Sequence, residues 1–168
     1  MRYSSTWLRI LALLIPAVVL LGTVGRGGAS AENSTQSVLT QDAFNKMLGA
    51  LGDFRAKNLP IKIGDGDLDT EIANLQKQSK VGSIIKKRGL TLREFVLTYK
   101  ATAQIRESEK ARDNWQRILQ DPDAAPQAKL EATQKLAESL KNNLFTPEQI
   151  ELVRRKMPDL ETLLPAPK

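Results

Sequence analysis

The amino-acid sequence predicts an all-α fold, an irregular bundle of five or six helices behind an N-terminal signal peptide. Three observations carry that expectation. Apolar residues recur at i, i+3, i+4 and i+7, the period of one helix face, in several separate segments. The pattern apolar-Thr-x-x-x-apolar opens three of these segments, at Thr40, Thr91 and Thr146, each a capping threonine inside a hydrophobic staple. No window keeps the two-residue alternation of a half-buried strand, and Ile61-Lys62-Ile63 is too short to count.

The first helix follows a polar leader. Phe44, Met47, Leu48, Leu51 and Phe54 lie on one face, Thr40 caps the start, Leu39 and Phe44 form the staple, and Asn58-Leu59-Pro60 closes the helix ahead of proline. A loop with Gly64 and Gly66 leads to a second helix capped by Asp67 or Asp69, with Ile72 and Leu75 on its apolar face. Gly82 is expected to break this helix near Ser79. A short third piece around Ile84 and Ile85 ends at Arg88-Gly89, glycine suiting the left-handed position after a helix. The strongest local signal is Leu90-Thr91-Leu92-Arg93-Glu94-Phe95, which joins a capping box to a staple and opens a long helix. Phe95, Val96, Tyr99, Thr102 and Ala103 give that helix its buried face. The stretch from Arg106 to Asn114, with Glu107, Glu109, Asp113 and an Asp113–Arg117 surface pair, reads as exposed. Trp115, Ile118 and Leu119 restore an apolar stripe before Asp121-Pro122-Asp123 ends the helix. The next helix runs to about Asn142. Its inner face is expected at Leu130, Thr133, Leu136, Ala137 and Leu140, with a Glu131–Lys135 pair outside. Phe145-Thr146-Pro147-Glu148-Gln149-Ile150 opens the last helix, which Pro158 kinks or interrupts. The three threonine starts are 51 and 55 residues apart, but the segments between them do not align, so recurrent helix chemistry accounts for them better than duplication.

Composition then limits the chemistry. The 168 residues include no cysteine and no histidine, which excludes disulfides, thiol nucleophiles, thiolate or imidazole metal sites and serine–histidine–aspartate catalysis. Arg2 and Arg9 precede an apolar run from Ile10 to Leu21, and Ala29-Ser30-Ala31 fits a small-x-small cleavage site. Residues 1–31 therefore read as a signal peptide cleaved after Ala31, residues 32–38 as a disordered leader and residues 39–168 as one helical domain, periplasmic or secreted. A retained anchor is the alternative, against which stand Pro16 and a run well short of the roughly 20 residues that span a bilayer. Cleavage leaves 22 basic and 19 acidic residues, a net charge of +3, too mild to argue for a nucleic-acid partner.

Two constellations deserve a site reading. Asp65-Gly66-Asp67-Leu68-Asp69 is like the opening of a calcium loop, with carboxylates Asp65, Asp67 and Asp69 as oxygen ligands. Thr70 and Gln76 then stand where the glycine and the bidentate glutamate are needed, so a helix-capping acidic turn is the stronger reading. The basic triplets Lys86-Lys87-Arg88 and Arg154-Arg155-Lys156 are candidate contacts for an anionic surface. Both also lie near helix C-termini, where cations offset the dipole. No paired acid and base stands in an apolar frame, and Ser83 with Lys86 or Lys87 lacks the desolvation that frees a lysine of its proton, so no enzyme and no cofactor are expected.

Residues Val81–Val96, with a helix ending in Gly89 that meets the Leu90-Thr91 start, and the closing Phe145–Val153 resemble a family of small secreted bacterial all-helical proteins that brings no established activity. Phe145-Thr146-Pro147-Glu148-Gln149 and Leu90-Thr91-Leu92-Arg93-Glu94 are more faintly similar to the periplasmic LTxxQ stress chaperones, with Phe145 for the family's leucine and Glu94 for its glutamine. The resemblance implies export and a helical fold. Together these readings make the chain a non-catalytic exported protein acting by protein contact, its partner another envelope or secreted protein, with membrane contact at most peripheral. The alternative is an envelope-surface or small-ligand binder using the basic patches or an interhelical pocket. The surface around Phe95, Tyr99, Trp115 and Ile118 discriminates between them.

Overall fold

The computed structural model describes residues 39–64 and 66–164. The expected signal peptide and leader, Asp65 and residues 165–168 lie outside the described residues. Seven α-helices and no strand occur among those described: α1 Gln41–Ala56, α2 Leu68–Gln76, α3 Ser79–Lys87, α4 Leu92–Gln120, α5 Pro126–Lys141, α6 Pro147–Arg155 and α7 Met157–Leu163. The count exceeds the expected five or six. Of the kink or interruption expected at Pro158, the structure shows the interruption: Pro158, with no amide hydrogen to donate, sits in the first turn of a separate α7.

Local chemistry sets most boundaries. The hydroxyls of Thr40, Thr91 and Thr146 accept hydrogen bonds from the amides of Ala43, Glu94 and Gln149. Thr91 with Glu94, and Thr146 with Gln149, form complete capping boxes. Asp67, not Asp69, caps α2. Asn58, at φ 50°, takes the left-handed position after α1, the amide of Leu59 donating to the carbonyl of Phe54 at 2.9 Å. Gly89, at φ 76°, does the same after α3, where Leu90 donates to Ile85 at 3.2 Å. The expected break at Gly82 is absent. That glycine lies inside α3, and the chain turns instead at Lys77-Gln78. One interior glycine costs only about 1 kcal/mol, less than burial of Val81, Ile84 and Ile85 around it returns.

The core joins α1, α2, α3, the first half of α4, Phe145, α6 and α7. Phe95 is its centre, edge-on to Phe54 with ring centroids 6.0 Å apart and tilted against Tyr99 at 6.3 Å. Gln149 Nε2 donates to the carbonyl of Leu39 at 3.2 Å, and Arg55 to that of Thr162 at 2.9 Å, so both ends of the described chain are tied to the bundle. The α4 helix runs 29 residues, roughly 43 Å at 1.5 Å per residue, and outlasts the core, whose last α4 member is Ile105. Beyond it α4 and α5, joined by a short loop, form an antiparallel two-helix arm. The α5 helix packs chiefly on α4 and gives no residue to the apolar core.

Candidate functional site

The arm is where the structure departs furthest from the apolar pattern. Of the expected inner face of α5, Leu136 is half-buried, whereas Thr133 and Ala137 are exposed and Leu130 and Leu140 are 55% and 62% exposed; Leu144, just beyond the helix, is 49% exposed. The side turned to α4 consists of Ala128, Ala132, Leu136 and Ser139, with Ala132 only 2% exposed.

The reason lies on α4. Glu109, expected on an exposed stretch, is 5% exposed, and Arg106 is buried beside it in the sequence. Arg112 donates from Nη1 to Glu109 Oε1 at 2.9 Å, and from Nε and Nη2 to the hydroxyl and carbonyl oxygens of Ser139 at 2.9 and 3.3 Å. Arg154 on α6 donates from Nε to Glu109 Oε2 at 2.9 Å. Each carboxylate oxygen thus holds one guanidinium. That hydrogen bond raises the Arg154 pKa further above its ordinary value. A buried carboxylate is costly unless charged donors meet it, and here they come from two directions: Arg154 ties α4 to α6, and Arg112 ties α4 to α5. Ser139 on α5 supplies acceptors for Arg112, so that side of the helix is turned to α4, and Leu130 and Leu140 face away from it. Two expected surface pairs are also absent from the ion pairs of the described residues: Glu131–Lys135 is not formed, and Arg117 donates to the backbone carbonyl of Asp113 at 3.4 Å, not to its carboxylate.

A groove of about 400 Å³ runs between the arm helices, with Trp115 and Arg112 on one wall, Lys135, Glu138 and Asn142 on the other, and Phe145 at its base. Trp115 and Ile118 are half-buried, while Phe95 and Tyr99 are buried in the bundle. The chemistry on offer is apolar contact with hydrogen-bonding walls, and no reacting group stands out.

The remaining candidates lie elsewhere. Lys86 and Lys87 are exposed in the last turn of α3, and Arg88 donates to Asp53 at 2.8 Å. Arg155 pairs with Glu151 at 3.0 Å and Lys156 with Asp159 at 3.2 Å, so with Arg154 on Glu109 the whole second triplet is engaged. The two triplets sit on separate helices. Asp67 accepts from the amide and hydroxyl of Thr70, both at 2.8 Å, bonds that lower its pKa below the usual carboxylate range. Asp69 is exposed, and the nearby buried acid is Glu71, accepting from the amide of Gly64 at 3.1 Å. No group of three or more acidic side chains among the described residues is placed to hold a metal ion. The sequence pattern reads Glu109 as exposed, and its partner Arg154, 45 residues on, leaves no local signal of the contact that buries it. Compared with protein-family models, with curated proteins and with solved structures, the chain finds no match in any of the three.

Proposed function

We propose that this chain is an exported, non-catalytic helical protein that works by protein contact, and that its contact element is the α4–α5 arm. One observation carries the reading: α5 turns Ala132, Leu136 and Ser139 inward and leaves Leu130 and Leu140 exposed, with exposed Leu144 just beyond its end. Scattered apolar residues on a surface need no explanation, but Leu130 and Leu140 lie on one side of a helix that takes no part in the core. Export rests on the order Arg2, Arg9, the apolar run and Ala29-Ser30-Ala31. The absence of histidine and cysteine, together with the occupation of buried Glu109 by two arginines, supports a non-catalytic role. The faint likeness to periplasmic stress chaperones points the same way.

A second reading, a small-ligand binder, draws on the groove beside Trp115 and on a mixed recess of about 360 Å³ lined by Leu51, Phe54, Arg55, Leu59, Tyr99 and Thr162. Anionic-surface binding gains less, because four of the six triplet cations are already paired. Photo-crosslinking in producing cells tests the leading reading. A photoreactive residue at position 140 is expected to give protein adducts, one at position 86 none, and Leu130→Gln with Leu144→Gln should weaken the adducts. Equal labelling at both positions, or none at 140, overturns it.

A further inference from the structure

We infer that the outer face of α5 is a seam for a single amphipathic helix of another protein, one with large apolar knobs and carboxylates along its flanks. The inference rests on the reading of the arm as the contact element and names what the arm takes. Residues 130, 133, 137 and 140, all within α5, are spaced three, four and three apart, the alternation that keeps one stripe facing a partner helix. The stripe has relief. Leucines 130 and 140 stand at either end of a low stretch made by Thr133 and Ala137, and the Thr133 hydroxyl donates to the carbonyl of Lys129 at 2.8 Å, which leaves its methyl group for contact. A saddle between two leucines receives a knob from a second helix, whereas a lipid surface gains little from it.

Charge narrows the partner. At 100° per residue, the charged residues bordering the stripe are Lys129 on one side and Lys141 on the other, with Gln134 between Lys141 and the back; Glu131 and Glu138 lie further round. Neither lysine has an ion-pair partner among the described residues. Flanking charges select coiled-coil partners, and two lysine borders select carboxylates. A second copy of this chain is disfavoured, because its own α5 would bring no acid to either border.

Two synthetic three-heptad peptides test this against the purified protein, both with leucine at the seam positions, one with glutamate and one with lysine on the flanks. Fluorescence anisotropy is expected to show the glutamate peptide binding at least tenfold more tightly, with its affinity falling as salt rises and its helix content rising on binding. Leu130→Gln with Leu140→Gln should cost it tenfold or more, and Lys129→Glu with Lys141→Glu should reverse the preference. Equal binding of the two peptides, binding of neither, or indifference to the leucine changes overturns the inference. So does self-association, or attachment to phosphatidylglycerol vesicles, that the leucine changes abolish. Loss of peptide selectivity with the crosslinks at position 140 intact rejects the acidic-helix partner alone; loss of both rejects the arm as contact element too.

Discussion

The bundle around Phe95 and the arm formed by α4 and α5 use the same residue types in opposite ways. In the bundle each helix surrenders its apolar face to a shared core, and polar groups serve mainly as caps and surface pairs, although Glu71, Thr98 and Thr102 are buried. In the arm the layer between the helices is mixed: Glu109, Arg112 and Ser139 bond within it beside buried Ala132 and half-buried Leu136, Trp115 and Ile118, while Leu130 and Leu140 look outward. A continuous apolar core makes stability; a bracketed carboxylate makes orientation, because it is satisfied only in one geometry. The arm is tied to the bundle through Arg154.

The largest effect should come from the bundle. Phe95→Ala leaves a cavity between Phe54 and Tyr99 and should cost about 3–5 kcal/mol in denaturant unfolding; a loss below about 1 kcal/mol would remove Phe95 from the centre. Next comes the joint. Glu109→Ala strands Arg112, which is mostly buried, while half-exposed Arg154 regains water, so a loss of about 1–3 kcal/mol is expected. Hydrogen exchange should speed up across 126–141 more than across α1. Uniform acceleration would mean that the bracket supports the whole fold and does not position the arm.

Smaller effects separate end chemistry from both. Thr91→Ala should cost about 1 kcal/mol, since it removes the acceptor for the Glu94 amide; an unchanged midpoint would show that Thr91 is no cap. Hydrogen bonds from the amide and hydroxyl of Thr91 hold the Glu94 pKa below its ordinary value. A carboxylate lowered in the folded state adds stability above its unfolded pKa, about 4.3, and loses it as pH falls through the folded value. Stability of the parent should therefore fall in that acid window more steeply than that of Glu94→Gln. Parallel curves would show that Glu94 does not contribute.

Legibility in the sequence followed the same divide. Caps, staples and the Gly89 terminus are local chemistry, each written within six residues, and they were readable at Thr40, Thr91 and Thr146. The side of α5 that faces inward was not. Periodicity finds the apolar stripe of a helix but assumes that it is the buried one, and here the contact of Arg112 with Ser139, 27 residues apart, marks the side of α5 that meets α4. Arg154 was legible as a cation near a helix end, which it is, while its partner was hidden in a stretch that reads as exposed. Gly82 misled for a related reason, since a weak local breaker yields to the tertiary burial of its neighbours.

The measurement that bears most directly on the arm is the unfolding midpoint of the triple variant Leu130→Gln, Leu140→Gln and Leu144→Gln. Glutamine matches leucine in helix propensity, so the comparison isolates burial. Leucines that face outward should each change stability by no more than about 0.5 kcal/mol, leaving the denaturant transition close to that of the parent. A loss of about 2 kcal/mol or more per leucine, the cost of truncating a buried one, would place the stripe against the protein's own core and contradict the account.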